Sequence, residues 1–218
     1  FTESDVNVDG TDYKRVSMPE GSAYVGQPVR LNITSYYYAS PNFFSQPAEN
    51  IVEAKNNGEI FNEVVLTAAE SYFLQAEAVV HGLTTGDANA LYQEGIRQSM
   101  TMWGVSDADI QNYLDTQAEA TLAGTMDDML EQISTQKWVA QYTDGFEAWA
   151  TVRKSGYPSV LADGITDSDI YESGSLNGVY PQRMRYGNSI RNTNETNLNA
   201  AIARQGDDLQ STTLWWAK

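Results

Sequence analysis

Cysteine is absent from this sequence, and His81 is its only histidine. The first absence removes disulfides, thiolate metal sites and cysteine nucleophiles, and leaves the redox compartment undetermined. The second means that no zinc centre built from several imidazoles can be assembled from this chain alone. Basic residues are scarce: 13 Lys and Arg stand against 29 Asp and Glu, a formal net charge of -16. Such a surface repels phosphate backbones and anionic headgroups, so the expected partners include no nucleic acid, and neutral ligands or cations fit better. No apolar run approaches the length needed to span a bilayer, and no charged, apolar, small-residue leader opens the chain. Beginning at Phe1 in a polar, irregular stretch, the sequence reads as a mature or truncated start.

What is present suffices for a packed core, with 41% hydrophobic and 11% aromatic residues. Residues 1–60 carry Gly10, Pro19, Gly21, Gly26, Pro28, Pro41, Pro47 and Gly58, punctuation too frequent for a long helix. This part is expected to be loop-rich with short strands, the one strand region being Val29 to Tyr38. From residue 61 the pattern changes. Val65, Ala68, Ala69, Tyr72, Phe73, Ala76 and Val79 recur at helical spacing up to His81 and Gly82. A second helix follows from Asp87, with Ala88, Leu91, Tyr92, Gly95, Ile96, Ser99 and Trp103 on one broad face. The short connector makes the two antiparallel neighbours, and Ala69, Ala76 and Gly95 allow close approach. Only one such pair is visible, so no repeat array follows.

Three further helix starts are signalled by a capping residue three positions before an acid: Ser106 with Asp109, Thr125 with Asp128, and Asp144 with Glu147. Met126, Met129, Leu130, Ile133 and Trp138 mark the expected buried side of the second of these. Gly156 and Pro158 stop the third. The remainder is rich in Gly, Asn and Ser, with one or two turns of helix expected over Leu198 to Ala203. Residues 61–218 thus read as a helical part with long irregular loops.

Several segments, in order, carry a family resemblance: AAESYFLQAEA at 68–78, GDANALYQEGI at 86–96, WGV at 103–105, ISTQKWVA at 133–140, GFEAW at 145–149 and RKSGYP at 153–158. Pro181-x-Arg183-x-x-Tyr186, the stretch Asn197 to Ala201, and Trp215 with Trp216 complete the set. Together they resemble the C-terminal part of the SusD/RagB family of nutrient-binding proteins. One departure stands out: after Tyr186 the family usually continues Pro-x-x-Glu, whereas Gly187, Asn188, Ser189 and Ile190 stand here.

The resemblance implies a mainly α, SusD-like scaffold with tetratricopeptide-like helices, of which an N-terminal half would be missing. It implies a lipid-anchored protein of the bacterial outer membrane, at the cell surface. Its function would be non-catalytic capture of oligosaccharide for uptake through a partner TonB-dependent, SusC-like transporter. Peptide capture is the alternative within the family.

Tyr36, Tyr37, Tyr38, Phe43 and Phe44 sit in a Pro-bounded loop with Asn42 and Gln46, where rings could face the C–H surface of a sugar and amides its hydroxyls. Strand alternation would separate Tyr37 from Tyr36 and Tyr38, and core packing is the competing use of such rings. Asp5, Asn7, Asp9 and Gly10 have the opening spacing of a calcium loop. Val16 stands where its bidentate Glu belongs, so a solvated acidic turn is the plainer reading. Trp103, Trp138 and Trp149 are expected in the core. Of Trp215 and Trp216, one would anchor the terminus and the other face solvent. Arg153, Lys154, Arg183, Arg185 and Arg191 are expected to pair with local carboxylates, and His81 to cap a helix C-terminus. A glycoside hydrolase would need two paired carboxylates. Glu70, Glu77, Glu131 and Glu147 each fall on an expected helix, and their abundance identifies no pair.

Overall fold

The computed structural model describes residues 2–17, 64–165 and 174–217, with single positions at 21, 26, 45, 47 and 167. The chain divides into two compact units, Phe1–Glu63 with Gly164–Val179, and Val64–Asp163 with Tyr180–Lys218. Residues 164–179, grouped by sequence with the helical part, cluster with the first unit. The described residues are mainly α-helical, with one pair of strands.

In the first unit, β1 (Thr2–Val8) pairs antiparallel with β2 (Thr11–Ser17), in a register that sets Val8 opposite Thr11. Two residues close the hairpin, Asp9 at φ 51 and Gly10 at φ 83. Both central positions of this turn need positive φ, the reason Asp-Gly is a strong hairpin signal. The expectation of a single strand region is corrected here: this pair precedes it, and the segment Val29 to Tyr38 lies outside the described residues. The signal was legible, but the same residues also spell the opening of a calcium loop.

The second unit is built on capped helices. In α1 (Ala68–Val80) the Thr67 hydroxyl accepts from the Glu70 amide at 3.1 Å. The cap places the helix start three residues after Val65, the first of the periodic residues, which is 80% exposed ahead of it. In α2 (Ala88–Met102) the Asp87 carboxylate accepts from Ala90 N, and in α3 (Asp107–Thr116) the Ser106 hydroxyl accepts from Asp109 N. A full capping box opens α4 (Met126–Ala140), where Thr125 Oγ1 accepts from Asp128 N and the Asp128 carboxylate accepts from Thr125 N. Hydrogen bonds from the Thr125 side chain and backbone hold the Asp128 carboxyl below the ordinary carboxylate range. Asp144 caps α5 (Gly145–Ser155), which ends at Gly156 in the left-handed conformation, and the short α6 (Ser159–Ala162) follows. His81 stands at the C-cap of α1, as expected.

The core of this unit is made by Ala69, Phe73 and Ala76 of α1, Tyr92 and Ile96 of α2, Ile110 and Leu114 of α3, and Ile133 of α4. The buried Tyr92 hydroxyl donates to the Glu119 carbonyl, and burial first, then the neighbouring Tyr113, pushes its phenol above the usual tyrosine range. The indoles depart from expectation: Trp103, Trp138 and Trp149 are each half-buried, not central. Flat, one-donor side chains of that size are rarely fully enclosed. Met126, expected on the buried side of α4, is 44% exposed at the first helical position.

The α1–α2 contact depends on one missing side chain. A Cβ at Gly95 would lie 2.6–2.9 Å from three atoms of the fully buried Phe73 ring. Gly95→Ala gains about 1 kcal/mol of helix propensity but forces that ring to move, an overpacking cost of about 1–3 kcal/mol. Urea unfolding should show a net loss of stability; a variant more stable than the parent would mean that the helices separate at no cost.

Candidate functional site

The loop residues singled out by sequence, Tyr36, Tyr37, Tyr38, Asn42, Phe43 and Phe44, lie outside the described residues. The candidate calcium ligands are described. Asp5 and Asn7 lie on β1 and Asp9 in the turn. Asp5 meets Lys14 across the hairpin at 2.8 Å, and Asn7 uses both ends of its amide, donating to Asp12 at 2.7 Å and accepting from Gly10 N at 3.1 Å. These contacts fix the turn and engage one carboxylate oxygen of Asp5 and the amide oxygen of Asn7. Among the described residues, no three His, Cys, Asp or Glu side chains gather closely enough to hold a metal ion.

A different aromatic arrangement is visible in the second unit. Trp149 and Arg153 are four residues apart on α5, hence on one face. The Arg153 guanidinium carbon lies 4.4 Å from the Trp149 ring centroid and 4.8 Å from that of Trp216. A cation so placed over indole faces is attracted by their quadrupoles. Trp149 Nε1 donates to the Pro181 carbonyl at 2.6 Å, and Arg153 Nη1 to the Gln182 carbonyl at 3.0 Å. Arg153, expected to seek a carboxylate, therefore joins α5 to residues 181–182 and to the short 3-10 turn Trp215–Ala217. Tyr180 lies in the same region, its phenol raised by burial and opposed by the Arg153 charge. Trp215 and Trp216 are 80% and 50% exposed, so both indoles, not one, reach the surface. Of the two indoles beside the Arg153 guanidinium, Trp216 is the exposed one and offers an apolar face at the surface.

Arg183 and Arg191 pair with a carboxylate as the charge reading expects, whereas Arg185 is exposed and makes no ion pair among the described residues. Asp208, with a side chain 4% exposed, receives Arg183 Nη2 at 3.0 Å, Tyr186 N at 3.1 Å, and Arg191 Nη2. Through this carboxylate the stretch before α7 (Asn188–Thr193) is tied to the stretch after α8 (Glu195–Gln205). Lys154 approaches Glu77 at 3.7 Å. Asp208 was missed because nothing in the spacing of its exposed-looking GDD surroundings announces a buried acid.

The carboxylates considered for hydrolysis have structural partners. Glu70 lies 3.8 Å from Lys137 Nζ and accepts from Gln141 at 3.2 Å, Glu77 meets His81 and Lys154, and Glu131 accepts from the hydroxyl of Ser159 at 2.7 Å. Glu147 stands in the first turn of α5, where its charge suits the helix dipole.

Comparison with known proteins places the chain. The SusD-like family described as "Starch-binding associating with outer membrane" matches residues 15–187, and the chain belongs to it. Solved structures agree. A Bacteroidetes SusD-like protein is 29% identical with a TM-score of 0.61, over 70% of this chain and 30% of its own. A chitin-binding protein is 31% identical with a TM-score of 0.58, over 69% and 33%. A SusD homologue from Bacteroides uniformis is 29% identical with a TM-score of 0.57, over 69% and 36%. The matched region thus spans about a third of the length of each of these proteins. No curated protein matches the chain.

Asp208 is the point at which this site is most vulnerable. Asp208→Asn would leave two guanidinium groups without their shared counter-charge, and breaking a buried pair from one side costs about 3–5 kcal/mol. Urea unfolding should register most of that loss; a change below 1 kcal/mol would show that water already screens the cluster.

Proposed function

We propose that this chain is part of a non-catalytic, cell-surface protein that binds oligosaccharide and hands it to a TonB-dependent outer-membrane transporter. Family membership is the observation that carries this reading, and it is supported by a chitin-binding relative at 31% identity. The whole protein would be held at the outer membrane by a lipid anchor and would include an N-terminal half beyond this chain.

In this reading the ligand meets aromatic faces and amides instead of charge. The loop residues Tyr36, Tyr37, Tyr38, Phe43 and Phe44 supply rings and Asn42 a donor and an acceptor. A strongly acidic chain favours neutral glycans over acidic ones, since charge repulsion acts at every approach. Of the carboxylates weighed for hydrolysis, Glu70 and Glu77 are engaged in ion pairs and Glu131 in a hydrogen bond, which supports capture without bond cleavage.

Isothermal titration against neutral glycans, chitin oligosaccharides and starch oligosaccharides among them, tests the proposal alongside a peptide panel. Binding to at least one glycan is expected, weakened about tenfold, or about 1.4 kcal/mol, by Tyr38→Ala or Phe44→Ala. Binding to peptides alone would move the ligand class. Release of reducing sugar by the purified protein would overturn the non-catalytic part.

A further inference from the structure

The Asp208 cluster is not balanced. Two arginines, Arg183 and Arg191, share one carboxylate, and the next acid along the chain, Asp207, is exposed and makes no ion pair among the described residues. Arg183 is enclosed, its side chain only 7% exposed. Its Nε donates to the Met184 carbonyl and its Nη2 to Asp208, but its Nη1 is buried with no acceptor. Gln205 Nε2 is a further buried donor without an acceptor. Tyr186 connects the two: its ring lies under the Arg183 guanidinium at 5.0 Å, and its hydroxyl reaches Gln205 Oε1 at 3.5 Å.

Buried donors are almost always paired in folded proteins, and a charged donor left alone is the costliest kind. A positive excess of one, with two unpaired N–H groups on side chains that both contact Tyr186, calls for an acceptor that carries negative charge. We propose that Arg183, Gln205 and Tyr186 form a site for a single carboxylate group. A guanidinium edge and an amide N–H match the two oxygens of a carboxylate, and Arg191 adds long-range attraction. The site is independent of glycan capture and stands whether or not that reading holds.

Thermal unfolding of the 218-residue chain in sodium acetate and in sodium glucuronate, each against sodium chloride at equal ionic strength, is the test. The expected result is a saturable rise in Tm of about 3 °C with acetate. An equal response to glucuronate would assign a site for any carboxylate, and a larger one a carboxylate borne on a sugar. Arg183→Met removes the site but endangers folding, so Gln205→Leu is the decisive variant. It deletes one unpaired donor together with the acceptor of the Tyr186 hydroxyl, so its own Tm in chloride is the baseline from which its response is read, and the carboxylate response should fall at least twofold. A rise linear in concentration and equal in Gln205→Leu would be the general effect of excluded salts and would overturn the proposal, as would no rise at all.

Discussion

The ring of Phe73 lies on the bare Cα of Gly95, and the helical unit is assembled from that contact outward. It holds α1 and α2 closer than any side chain at position 95 would permit. Closeness lets Tyr92 sink into the core and donate to the Glu119 carbonyl, while Asn89 accepts from Leu122 N at 2.8 Å, which draws the chain between α3 and α4 back over the pair. α4 then closes the other side of α1 through Ile133, and Gln141 at its end bonds both Glu70 and Thr151, carrying the connection into α5. Each step places apolar area beside a satisfied polar group, so little is buried at a loss.

Much of this was legible because caps and periodicity are local. Ser106, Thr125 and Asp144 begin helices where their side chains accept from the amide three residues on, and Gly156 ends one by taking a conformation that other residues avoid. Errors arose where tertiary context decides. Val65 continues the apolar period of α1, yet Thr67 caps the helix behind it. The indoles of Trp103, Trp138 and Trp149 have core-like neighbours in sequence, but small residues and Phe73 fill the centre first and leave the larger rings at its margin. Asp5, Asn7, Asp9 and Gly10 satisfied two local patterns at once, and pairing with Lys14 and Asp12 on the opposite strand favours the hairpin.

The site was less legible than the fold for a related reason. The motifs at 68–78 and 86–96, which carry the family resemblance, contain Ala69, Phe73, Ala76, Tyr92, Gly95 and Ile96, all buried. What identifies the family is therefore largely what packs, and packing faces inward. The cation between Trp149 and Trp216, and the acid shared by Arg183 and Arg191, join residues as far as 17, 25 and 63 positions apart. No spacing rule covers such pairs; only the path of the chain brings them together.

The α1–α2 pair is thus the centre to which α4, and then the C-terminal segments, are attached. Native-state hydrogen exchange of the 218-residue chain tests this most directly, because amides that open only with global unfolding mark the last structure to be lost. The slowest amides should lie in α1, α2 and α4, around Phe73, Tyr92 and Ile133, with those of α7 and α8 opening at lower free energy. Slowest exchange in α7 and α8, with α1 and α2 opening first, would contradict it.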